Sequence, residues 1–284
     1  MTAYSTPLRA SFISIEFRQY KIRSYARLLL QFSVMALSQS QFSLKEQFLH
    51  TGGKWSQDWE TILNLDPDYF AAFVRLRAVP KSRKKLSPKI QALVLLSVDA
   101  SCTHLWPPGI LEHTKEALEA GATKAEIMET LELTSVLGVH SVNVGIPLLL
   151  EVLDEEGMSG HLPNEGLDAQ KEALKADFQA KRGYWHSTWE AVLRLDPEYF
   201  EAYKDFSSVP FEPSHQVLEP KVKELIYCAI DCATTHLYQP GLKLHIRNAI
   251  KHGASPEEVM EVFELASLMG VQTALVAAPV LEAA

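Results

Sequence analysis

Cysteine is scarce in this chain. Three residues in 284, Cys102, Cys228 and Cys232, cannot build a disulfide framework, and their odd number points to a reducing compartment. Basic charge is also short. Twenty-seven Lys and Arg against 35 Asp and Glu leave a formal charge of −8 and an isoelectric point of about 5.7. That balance argues against a nucleic-acid binder, which needs a clustered positive face to neutralise phosphates. No apolar run approaches the roughly 18 to 20 residues that span a bilayer, so no membrane association is expected. No period-2 strand pattern stands out either. What remains, at 47% hydrophobic and 22% charged residues, is ordinary core-forming composition, which excludes a mainly disordered chain.

The chain repeats itself. Residues 55–80 and 185–210 share twelve of 26 positions at an offset of 130. After two extra residues, 86–147 aligns with 218–279 at an offset of 132. Two copies with so long a period exclude a solenoid. Each copy reads as helices. Trp59, Ile62, Leu63, then Tyr69, Phe70 and Phe73 after the Asp66-Pro67 break, form an i, i+3, i+4 stripe. Ser87-Pro88 starts a second helix, apolar on nearly every side and therefore central and buried. Pro107-Pro108-Gly109 breaks it. A third helix, about 110–120, ends at Gly121, and a fourth begins with the capping box Thr123-x-x-Glu126, echoed by Ser255 and Glu258. The fold class is all-α, a tandem duplication. The expected organisation is an extension over 1–50, one unit over 51–155, a linker over 156–180 and a second unit over 181–284.

The first 50 residues match neither copy. Arg9, Arg18, Lys21, Arg23 and Arg27, many Ser, and the short apolar run 28–37 suit a transit peptide or a secretory leader. The bland reading is a start set too far upstream, with Met35 the true beginning. A cytoplasmic protein is the expectation, with a mitochondrial one as the alternative.

Duplication provides an internal comparison. Polar residues retained in both copies on otherwise apolar helices are Asp99 with Asp231, Thr103 with Thr235, His104 with His236, and His113 with His245. They fall in the shared text D-x-x-x-T-H-L-[WY]-x-P-G-x-x-x-H. A turn folding one helix end onto the next brings the two His together, with Trp106 or Tyr238 walling a cleft. Each residue has a plainer reading. His104 and His236 suit the C-terminal carbonyls of the buried helix. Asp99 and Asp231 suit catalysis with a raised pKa, hydrogen bonding to Thr103 and Thr235, or a place facing a subunit interface. Glu126, Glu129, Glu258 and Glu261 suit the positive ends of their own helices. The Cys are read as packing residues, since none recurs between copies. The spacing H-x8-H with a single Asp is no established ligand pattern, so no metal and no cofactor are expected.

The segment EHTKEALEAGATKAEIMETL and its echo LHIRNAIKHGASPEEVMEVF resemble the carboxymuconolactone decarboxylase and AhpD-like superfamily over about 60 residues of each copy. The resemblance implies an all-helical unit with a site His behind a turn, met here by His113 and His245. The family's peroxidase branch carries C-x-x-C before that His, and here those positions hold Trp106 and Gly109, or Tyr238 and Gly241. Its Glu matches Glu224 in the second copy but Ala92 in the first. Decarboxylase-like, lyase-type acid–base chemistry on a small organic acid or lactone is therefore the expected activity. His245, His113 and Glu224 would be catalytic, while His104, His236, Trp106, Tyr238, Asp99 and Asp231 would bind substrate. A peroxiredoxin-related AhpD-type peroxidase and a non-catalytic binding or assembly protein are the alternatives. The resemblance also implies a homo-oligomer, with a trimer restoring the six units of single-copy relatives.

Overall fold

A computed structural model describes residues 37–159 and 166–284. The basic residues and most of the apolar run behind the leader reading lie outside the described residues. Among those described there is no strand. The protein is an all-α tandem duplication, as the sequence predicts.

The helices start and stop where local chemistry demands. In the first copy α1 is Gln39–His50, α2 Gln57–Leu65, α3 Pro67–Arg83, α4 Pro88–Ala100, α5 Pro107–Glu119, α6 Lys124–Ser135 and α7 His140–Glu155. The second copy has α8 Ala169–Arg182, α9 Ser187–Leu195, α10 Pro197–Ser208, α11 Pro220–Cys232, α12 Gln239–Lys251, α13 Pro256–Ser267 and α14 Gln272–Ala283. Ser87 caps α4 with Pro88 following, and both capping boxes, Thr123 with Glu126 and Ser255 with Glu258, are formed. Pro107 and Pro108 open α5 instead of merely breaking its predecessor, because a first-turn residue needs no N–H partner.

Residues 39–50 were expected to lie outside the repeat, yet they form α1. Phe48 of α1 and Phe178 of α8 stand 130 residues apart and are almost fully buried. Lys45 lies over the Trp55 ring at 4.5 Å, and Lys175 lies over Trp185 at 5.1 Å. Each repeat therefore begins one helix earlier than sequence identity suggests, and much of the expected 156–180 linker is α8.

The chain divides into two compact units that cut across the copies. One takes the described residues up to Val74 together with Gln272–Ala284, and the other takes Arg75–Val271. In the first unit, Phe48, Trp55, Trp59, Phe70 and Phe73 form an aromatic cluster, and α14 packs on α2. There Thr61 donates to Glu282 at 2.7 Å. In the second unit, Phe178, Trp189, Phe200 and Tyr203 form the matching cluster, covered by Val136, Val139, Val142 and Ile146 from the end of copy one. Each aromatic cluster is thus covered by the last helix of the other copy.

The centre of the second unit is α4 against α11, nearly all of whose side chains are buried. Two acids secure the starts of these helices across the duplication. Glu129 of α6 accepts from the Val217 and Leu218 N–H groups just ahead of α11, at 2.8 and 2.7 Å. Glu261 of α13 accepts from the N–H groups of Lys85 and Leu86 ahead of α4, at 3.0 and 3.2 Å. The expectation that these two acids serve their own helix ends is therefore corrected. Both sit deep in the core and satisfy orphan donors on the opposite copy.

Two helical stretches, 124–155 and 256–283, are long and apolar enough to cross a membrane by length and composition. Neither is an unbroken apolar run, since polar and charged residues interrupt both. On α7 the stripe Val144, Leu148 and Val152 is exposed.

Candidate active site

The site turn is built twice by the same backbone. The Asp99 carbonyl accepts from the Trp106 N–H, and the Asp231 carbonyl accepts from the Tyr238 N–H, both at 2.9 Å. Leu105 and Leu237 sit in the left-handed region, at φ 47° and 52°. That conformation is uncommon for a bulky residue and marks a turn held by its surroundings. The retained glycines have a specific cause. A Cβ on Gly109 would lie 2.0 Å from Asp99 Oδ2, and one on Gly241 would lie 2.3 Å from Asp231 Oδ2. The buried carboxylate presses against the next helix, where only glycine fits.

From that common frame the two copies diverge. In the first, His113 Nδ1 lies 2.7 Å from Asp99 Oδ2, and His104 Nε2 lies 3.7 Å from Asp99 Oδ1. The expected convergence of the two imidazoles is present, with Asp99 between them. The neighbouring Glu112 carboxyl is pushed up, chiefly by burial. Trp106 packs beside Gly109.

In the second copy His245 turns away from the equivalent Asp. Its Nδ1 lies 2.7 Å from Glu224 Oε2, its ring stacks on Tyr227 at 4.4 Å, and Asn248 donates to the other Glu224 oxygen at 3.4 Å. Asp231, 1% exposed, is left with Oδ2 unpartnered among the described residues, and burial pushes its carboxyl up to about 8. Its other oxygen lies 3.9 Å from His140 Nδ1 and 4.0 Å from His236 Nε2. Those two nitrogens are 2.6 Å apart. Burial and the facing His236 push the His140 imidazole down to about 3, and burial also lowers that of His236.

His140, Tyr227, Asp231 and His245 line a cavity of about 310 Å³, together with Arg182, Lys243 and Arg247 among others. Tyr238 is also among the lining residues. His140, Arg182 and Tyr227 are the residues that sequence reasoning missed. Comparison of the copies kept only polar residues shared by both, and the counterparts of these three are Gln272, Gly52 and Leu95. The thiols stand apart from this lining. Cys102 is exposed, Cys228 is buried with its thiol pushed up by desolvation, and Cys232 is pushed up to about 12 for the same reason.

A duplicated helical bundle with a polar turn at the end of each buried central helix defines the AhpD-like class of all-α protein. The particular family follows from direct comparison: the model of the carboxymuconolactone decarboxylase family matches residues 67–139 and again 197–283, more than half of the chain. The protein belongs to that family. It is also similar to a crystal structure from Burkholderia xenovorans LB400, described as a candidate gamma-carboxymuconolactone decarboxylase subunit. The two share 47% identity over 86% of this chain and 96% of the other, with a TM-score of 0.81. No curated protein matches.

Proposed function

We propose that the second copy carries acid–base chemistry on a small organic acid or lactone, decarboxylation or a related proton transfer. The observation behind this reading is the His245–Glu224 pair, 2.7 Å apart at the edge of a cavity that also presents Arg182, Lys243 and Arg247. A carboxylate on Nδ1 holds the proton there and leaves Nε2 as the nitrogen that gives or takes a proton. The three cationic side chains suit an anionic substrate, and the apolar walls limit water. His113 with Asp99 is the first copy's version of the pair, with Leu95 at the position of Tyr227.

The test is a screen of carboxylated lactones and β-keto acids, reading loss of ultraviolet absorbance and release of carbon dioxide. With a turned-over compound, His245→Gln should lower kcat/KM by about 10² or more, the usual contribution of a positioned His. His113→Gln should change it by only a few-fold. Equal effects would refute the asymmetry, and unchanged turnover in the double variant would refute the chemistry.

A further inference from the structure

We propose that His140, His236 and Asp231 form a binding site for one divalent first-row transition-metal ion, with a coordination position open to the cavity. The proposal goes beyond the acid–base reading and does not depend on it.

Three chain segments supply the donors. His140 opens α7, Asp231 lies near the end of α11, and His236 lies in the site turn between α11 and α12. Their ligand atoms all fall within 4.8 Å of one another. Ions of this class bind imidazole nitrogen and carboxylate oxygen at about 2.0–2.2 Å, which places tetrahedral ligand atoms roughly 3.3–3.5 Å apart. The observed separations of 2.6, 3.9 and 4.0 Å bracket that value, so each side chain need shift by less than about an ångström.

Charge decides between an ion and a simple hydrogen bond. A bond from one neutral imidazole to the other satisfies those two nitrogens. It leaves Asp231 almost fully buried with one oxygen unpartnered, and among the described residues it pairs with no Lys or Arg. Without a positive partner such a carboxyl is held neutral by its burial, and a dication supplies the partner that lets it act as an anionic ligand.

The surroundings suit ligation. The His140 ring stacks on Tyr238 at 3.8 Å. Outer groups of this kind fix the orientation of a ligating ring. Two imidazoles and one carboxylate form a donor set used by zinc and by neighbouring divalent metals, and three protein ligands leave a position for a small molecule. His140 and Asp231 both line the cavity. In the first copy Asp99 is engaged by His113, and Gln272 takes the place of His140. Among the described residues this donor set is complete once.

The full-length protein, stripped with chelator and dialysed, should be titrated with Co(II), followed by competition with Zn(II). One equivalent per chain should bind, with visible absorption typical of a low-coordinate site. His236→Ala and Asp231→Asn should abolish saturable binding, and His140→Gln should do the same, with circular dichroism confirming each fold. Tyr238→Leu should weaken binding by about 10- to 100-fold. His104→Ala should leave one equivalent. No saturable binding at micromolar metal would overturn the proposal, as would a stoichiometry unchanged in Asp231→Asn and His140→Gln. Because the readout is metal binding, its failure would leave the acid–base reading standing, and the reverse also holds.

Discussion

Removing Glu129 should cost more stability than removing Glu261, although the two acids hold equivalent places. Each accepts from two backbone N–H groups ahead of a buried helix. The third partner differs. Glu261 accepts from neutral Gln91 at 2.8 Å, whereas Glu129 Oε1 lies 2.7 Å from the Lys223 ammonium, which is 1% exposed. Glu261→Ala orphans buried neutral donors, at about 1–3 kcal/mol for the group. Glu129→Ala also strands a buried ammonium, and breaking a buried ion pair from one side costs about 3–5 kcal/mol. The expected gap is about 2 kcal/mol. Urea unfolding followed by circular dichroism measures it from midpoints and slopes. A second arm isolates the charge. Lys223→Gln recreates the Gln91 arrangement, so Glu129→Ala combined with Lys223→Gln should lose about 2 kcal/mol less than the two single losses added together. Equal losses for the two acids would refute the reasoning, and so would an additive double variant.

Three further outcomes follow from packing and exposure. In native protein one thiol, Cys102, should react quickly with an aromatic disulfide reagent, while Cys228 and Cys232 should react only on unfolding. Two fast thiols would show that the burial of α11 is wrong. Phe48→Ala should destabilise its unit by about 3–5 kcal/mol, as should Phe178→Ala in the other, because both rings are fully enclosed by aromatics. A loss under 1 kcal/mol at Phe48 would return residues 39–50 to the status of a dispensable extension. We propose a trimer as the assembly, and Leu148→Glu on the exposed α7 stripe should lower the mass found by light scattering. An unchanged mass would place the interface elsewhere.

The parts of this structure legible in the sequence are those fixed within a few residues. Ser87-Pro88, the two capping boxes and Gly121 mark helix ends because a cap answers to its own neighbours. The approach of His104 to His113 was also legible, since a short turn joins the helices that bear them, but the place of Asp99 between them was not. Glu129 and Glu261 were misplaced for the opposite reason. Their partners lie 88 and 175 residues away, and both acids sit past the first turn of their own helices, so nothing near them in sequence names the donors they serve. His140 escaped in the same way, because it reaches His236 across 96 residues through the exchange of terminal helices.

That exchange also changes what retention between the copies means. Asp99 and Asp231 are shared with Gly109 and Gly241 because a carboxylate packed against the next helix excludes every side chain there, in an active copy or an inert one. The backbone bond from Trp106 or Tyr238 to the Asp carbonyl is likewise architecture. The groups that line the cavity, and Glu224 behind His245, behave differently. Glu224, Tyr227, Arg182 and His140 each face a counterpart with no comparable chemistry in copy one. Glu224 is decisive among them, because by taking His245 it releases Asp231 from the imidazole that Asp99 keeps. One difference on α11 thus gives two buried carboxylates separate partners, Glu224 beside His245 and Asp231 facing His140 and His236. In a duplicated chain of this kind, the residues the copies share describe the frame, and the residues they do not share are where chemistry should be sought.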